Sequence, residues 1–74
     1  MEEFDLADHD YVELNKLLKL TGLCSSGGIA KAVIADGLVM VDDQVELRKR
    51  CKIRPGQVVL FAGRQVQVVE SPSN

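Results

Sequence analysis

The sequence predicts an α+β fold, two short helices followed by a small, mainly antiparallel sheet, and three features predict it. Apolar residues recur at three- and four-residue steps before Gly37 and at two-residue steps after it. The pairs Asp42-Asp43, Pro55-Gly56 and Ala62-Gly63 punctuate the second half of the chain with turn signals. A length of 74 residues holds one core and not two, so residues 1–74 are expected to form a single domain. Hydrophobic residues make up 46% of the chain, mostly Leu, Val, Ile and Ala, with Phe4, Tyr11 and Phe61 as the aromatics, which suits a folded chain better than a disordered one.

Phe4-Asp5-Leu6 brings two apolar residues into an otherwise acidic segment, as an added edge strand would. Asp10 and Glu13 have the spacing of a capping box, predicting a first helix over residues 11–20. Tyr11, Leu14, Leu17 and Leu18 form its apolar stripe, Asn15, Lys16 and Lys19 its polar side, and Gly22 a left-handed stop. After a linker long enough only to turn the chain, Ser25 or Ser26 caps a second helix with the stripe Ile29, Ala30, Val33 and Ile34, ended by Asp36-Gly37. Leu38-Val39-Met40-Val41, the turn Asp42-Asp43 and Gln44-Val45 make a hairpin. The Pro55-Gly56 turn leads into a second hairpin, Val58-Val59-Leu60-Phe61 and Gln65-Val66-Gln67-Val68-Val69 about Ala62-Gly63, with Val66 and Val68 facing in and Gln65 and Gln67 facing out. Residues 71–74 are expected to be a frayed tail.

The net charge of −2 hides a segregation of charge. Residues 1–13 hold six acids and no Lys or Arg, whereas residues 14–74 hold nine bases against five acids. The sharpest feature lies between residues 46 and 54, where Arg48, Lys49, Arg50, Lys52 and Arg54 face Glu46 alone. If this stretch is extended, Arg48, Arg50, Lys52 and Arg54 share one face, while Lys49, Cys51 and Ile53 share the other. Such a row grips phosphates well, because the planar guanidinium donates paired hydrogen bonds and stays charged, while Lys serves as a movable point charge. A solvated loop, or a basic face docking on an acidic protein, would use the same residues.

Other chemistries find little support. No apolar run approaches the roughly 20 residues that span a bilayer, and the acidic opening is unlike a signal peptide, so a cytoplasmic protein without a membrane role is expected. Cys24 and Cys51 lack the C-x-x-C pairing of zinc or redox sites, so no metal and no cofactor is expected. His9 is the single histidine, Asp42 and Asp43 are adjacent on a turn, and neither Ser25 nor Ser26 has a base arranged beside it. Catalytic residues are therefore expected to be none, and the protein is not expected to be an enzyme. A β-grasp sulfur carrier would end in Gly-Gly, whereas this sequence ends in Ser73-Asn74.

The Ser-led helix S-G-G-I-A-K-A-V-I-A, the following D-G-L-V-M-V-D-D and the downstream K-I-R-P-G-Q-V-V-L together resemble the S4 RNA-binding motif. Ala30-Lys31, Gly37, Val39, Val41 and Asp42 stand at the motif's places, and the resemblance covers residues 12–61. The tract R-K-R-C-K-I and the ending F-A-G look specifically like the small free-standing YbcJ group of bacteria. The resemblance implies the fold with the αL motif, RNA as the ligand and no catalytic activity. Two positions depart from the pattern. Gly27 stands where many S4 modules carry Arg, and Asp43 stands where the turn usually carries Gly.

With that resemblance, the expected RNA-binding residues are Arg48, Arg50, Lys52, Arg54, Lys31 and Lys49, with a further phosphate contact at Ser26, Gly27 and Gly28. Lys49 is the weakest of the tract, because alternation turns it away from the row. Structured or double-stranded RNA is favoured, with ribosomal and transfer RNA as candidates, because no aromatic residue lies in sequence among the basic ones to stack on unpaired bases. The chain is expected to be a monomer that can join a ribonucleoprotein partner; the alternative function is a protein–protein adaptor on an acidic partner. The acidic residues 1–13 could compete with RNA by lying near the basic strip, or serve solubility and helix capping.

Overall fold

A computed structural model describes residues 1–70 of the chain, so the tail expected at residues 71–74 lies outside the described residues. The elements are β1 (Glu2–Asp5), β2 (Val12–Glu13), α1 (Leu14–Leu20), α2 (Gly27–Ala35), β3 (Val39–Val41), β4 (Gln44–Val45), β5 (Lys52–Ile53), β6 (Val58–Phe61) and β7 (Arg64–Val69). Five strands form one sheet in the order β1-β7-β6-β3-β4, and β2 pairs with β5 in a separate ribbon. Every pairing is antiparallel except that of β1 with β7, so the α+β class holds with one parallel edge.

Both hairpins close through two-residue turns whose central residues have positive φ, the handedness that matches strand twist. Asp42 and Asp43 take φ of 51° and 67°, and Ala62 and Gly63 take 53° and 78°. Asp42 also holds the sheet together, since its Oδ1 accepts the Val58 N–H at 3.0 Å while its own N–H donates to the Val58 carbonyl at 2.9 Å. On β7, Val66 and Val68 are fully buried as the alternation predicts. They join Val39, Val59, Leu14, Leu17, Leu18 and Ile34 in a core between the sheet and the two helices. The expected edge strand exists: β1 runs beside β7 with Phe4 opposite Val68, and the Leu6 N–H donates to the Val69 carbonyl at 2.9 Å.

The second helix is capped by Ser26, whose Oγ accepts the Ile29 N–H at 3.2 Å, and it closes at Gly37 with φ of 75°. Its stripe is rotated from the expectation. Ala30 and Ile34 are buried and Val33 is half-buried, but Ile29 is 46% exposed because the helix meets α1 on the neighbouring face.

The first helix departs further. It begins at Leu14 rather than at residue 11, Glu13 precedes it with extended backbone, and no side chain caps it, so the Asp10–Glu13 capping box does not form. The physical reason is a cap from elsewhere in the chain. The first helical N–H groups, of Leu14 and Asn15, donate to the carbonyls of Cys51 at 2.9 Å and Lys49 at 3.0 Å, and β2 pairs with β5 just before them. Backbone from the basic tract supplies what a side-chain cap would have supplied. The same contact covers Asn15, which is buried rather than outward, and leaves its Oδ1 without a partner. Among the described residues no helix is long and apolar enough to cross a membrane.

Candidate nucleic-acid interface

The basic tract is fixed by its backbone before its side chains are considered. Its carbonyls cap α1, and β5 lies in register with β2, Val12 opposite Ile53 and Glu13 opposite Lys52. This anchoring changes the expected shape. Carbonyls two residues apart on a strand are separated by about 6.6 Å, too far to reach adjacent amides of a helix end. The chain therefore turns, with the Cys51 N–H donating to the Arg48 carbonyl at 3.2 Å and Lys49 and Arg50 at the corner. Arg48, Arg50, Lys52 and Arg54 consequently do not form one strand row. Alternation holds only from Cys51 onward, where Cys51 is half-buried, Lys52 exposed, Ile53 buried and Arg54 exposed.

The five cations of the tract are all exposed, but they are not equally free. Arg48 is closed onto Glu46 through a paired contact, Nε to Oε2 and Nη2 to Oε1, each at 3.0 Å, and its backbone N–H donates to the same carboxylate at 2.9 Å. These bonds from Arg48 hold the Glu46 carboxyl well below the usual carboxylate range, at about 2. Arg50 has a looser partner, its Nε lying 3.8 Å from Glu13 Oε2 with 82% of its side chain exposed. A concavity of about 350 Å³ opens among Arg48, Arg50, Cys51 and Lys52. Burial pushes the Cys51 thiol up, and Cys51 and Cys24 are both free.

Lys52 and Arg54 lie over an aromatic ring. The Lys52 Nζ is 5.0 Å and the Arg54 guanidinium carbon 5.8 Å from the centre of the Tyr11 ring. The register explains the meeting, because residues facing one another in an antiparallel pair share a face. Glu13 faces Lys52, so Tyr11, two residues earlier, falls opposite Arg54 on the same side, while Ile53 turns to the core. The expectation that no aromatic stands among the basic residues is thus corrected: Tyr11 is an exposed member of the cluster and not part of the stripe of α1.

The remaining candidates stand on α2. Lys31 is exposed there. Ser26 uses its hydroxyl as the helix cap, and a Cβ at Gly27 would meet nothing within 4 Å, so neither Gly27 nor Gly28 is required by close packing. Sequence reasoning missed Tyr11, Glu13 and Glu46. Glu46 left a signal, because residues two apart on an extended segment share a face and Glu46-x-Arg48 has that spacing. Tyr11 and Glu13 left none, since their partners are some 40 residues away in sequence.

A family model of the S4 domain matches residues 4–69. The chain belongs to the S4 domain family. This S4 domain is 58% identical over 69 residues to YbcJ of Escherichia coli, covering 93% of this chain and 99% of that protein. It is 34% identical over 56 residues to the probable ribosome maturation protein RlbA of Bacillus subtilis, covering 76% and 79% of the two chains. The solution structure of E. coli YbcJ, described as revealing an αL motif involved in RNA binding, superposes on this S4 domain with a TM-score of 0.72 over 93% of this chain and 87% of that one. The expected family and αL fold are therefore found.

Proposed function

We propose that this protein is a non-catalytic RNA-binding module that grips RNA phosphates with Lys49, Arg50, Lys52 and Arg54, while Glu46 holds Arg48 back from them. The observation that carries this is the pinning of the tract's backbone to α1 and β2 while its cationic side chains stay in solvent. A preordered cationic surface loses little entropy on binding, and an array of exposed Arg and Lys meets the regular charge of an RNA backbone. Lys31 and the first turn of α2 at Ser26, Gly27 and Gly28 form a second, weaker contact zone, where uncovered backbone N–H groups favour phosphate. The S4 family match and the αL motif of YbcJ support RNA as the ligand, and the name of RlbA supports ribosomal RNA among the candidates.

Crosslinking in cells, followed by sequencing of the bound RNA, tests this reading. The native chain should recover a defined RNA set that an Arg50→Ala, Lys52→Ala double variant largely loses at equal protein level. Arg48 is left out because Glu46 already occupies its guanidinium. If the double variant recovers the same RNA in the same amount, the tract is not the RNA-binding surface, and an acidic protein becomes the better partner for it.

A further inference from the structure

We infer that Tyr11 is a stacking platform for one unpaired nucleotide, so that the preferred ligand combines a paired stretch with a bulged or overhanging base. This inference rests on the RNA reading and narrows it. Tyr11 is 38% exposed, although a tyrosine gains by burying its ring. Tyr11 directly precedes β2 and Arg54 directly follows β5, so continuing the register of that ladder by one pair puts the ring opposite Arg54. Lys52 and Arg54 rest over it at the ends of long rotatable stems. A base that takes the ring face displaces these two cations by a few ångströms onto its own flanking phosphates, and both interactions of single-strand recognition are then met within one cluster. Tyr11 also lines a cleft of about 540 Å³ whose wall includes Phe4, Leu6 and Lys16 but also the carboxylates Asp8, Asp10 and Glu13, so the cleft suits the uncharged base while the flanking phosphates stay on the side of Lys52 and Arg54.

The test compares a blunt RNA duplex with the same duplex carrying one bulged nucleotide, for the native protein, Tyr11→Leu and Tyr11→Phe. One base stacked on an aromatic ring corresponds to about 5- to 150-fold in affinity. The native protein should prefer the bulged RNA by a factor in that range, Tyr11→Leu should lose the preference because its affinity for the bulged RNA falls further than its affinity for the blunt duplex, and Tyr11→Phe should keep it. A direct readout is available because Tyr11 is the sole tyrosine and the chain has no tryptophan. Its emission should be quenched by the bulged RNA and little affected by the blunt one. Equal affinity for the two RNAs, or an equal loss on both in Tyr11→Leu, would overturn the platform while leaving the RNA reading intact. Failure of the native protein to bind either RNA would overturn both.

Discussion

Arg48 and Glu46 form a closed pair in the middle of the cationic tract, and this pairing sets how many charges the surface can offer. The Glu46 carboxyl is held near 2, below its ordinary value of 4.5, chiefly by its hydrogen bonds from Arg48. A depressed carboxyl contributes stability that is fully present above the unfolded value and is lost as pH falls through the folded one. The pair therefore persists throughout pH 5–8, and acidification within that window does not release Arg48. Replacing Glu46 by Gln removes the competing charge and keeps an oxygen to accept the Arg48 N–H. Glu46→Gln should tighten RNA binding and steepen log K against log salt by about 0.9, the value of one added phosphate contact. Binding isotherms at several salt concentrations check this, and an unchanged slope would mean that Arg48 is not drawn to phosphate even when free. Glu13 restrains Arg50 in the same sense but more weakly, at 3.8 Å.

At the scale of elements, the sequence was most informative where structure is decided locally. The two-residue turns, the Ser26 cap, the glycine stops and the alternation of β7 all depend on residues within a few positions of one another, and all were legible. The start of α1 was not. Its cap comes from the carbonyls of Lys49 and Cys51, a contact between distant segments that leaves no short-range signature, and the Asp10–Glu13 spacing pointed to a plausible local cap instead. Ala62 takes φ of 53°, a left-handed conformation in which its Cβ meets the following carbonyl, whereas Asn tolerates it and Asn-Gly is the preferred pair for such turns. Ala62→Asn should raise stability by about 1 kcal/mol and the melting temperature by about 4–8 °C in a domain of this size. Thermal unfolding followed by circular dichroism checks it, and an unchanged or lower midpoint would show that the turn carries no such strain.

For the molecule as a whole, the start of the acidic segment is built into the sheet, and the end of that segment meets the basic tract at Glu13 and Arg50. Glu2 is paired with Arg64 at 2.6 Å, β1 completes the sheet against β7, and Leu6 is in the core. Residues 2–6 are thus part of the fold, and of the acids among residues 1–13 the one paired with the basic tract is Glu13, beside Arg50. The exposure of Arg48, Lys49, Arg50, Lys52 and Arg54 was legible from their residue types. The shape of the tract was not, because the turn at Lys49 and Arg50 and the approach of Tyr11 both follow from the docking of this tract on the end of α1. The central claim, that the pinned tract grips RNA through phosphates, is tested most directly by the affinity of the native protein for a structured RNA measured from 50 to 200 mM salt. With about five phosphate contacts, log K should fall linearly against log salt with a slope near −4, and the slope of an Arg50→Ala, Lys52→Ala variant should be shallower by about 2. A native slope near zero, or one that the double variant shares, would contradict the account.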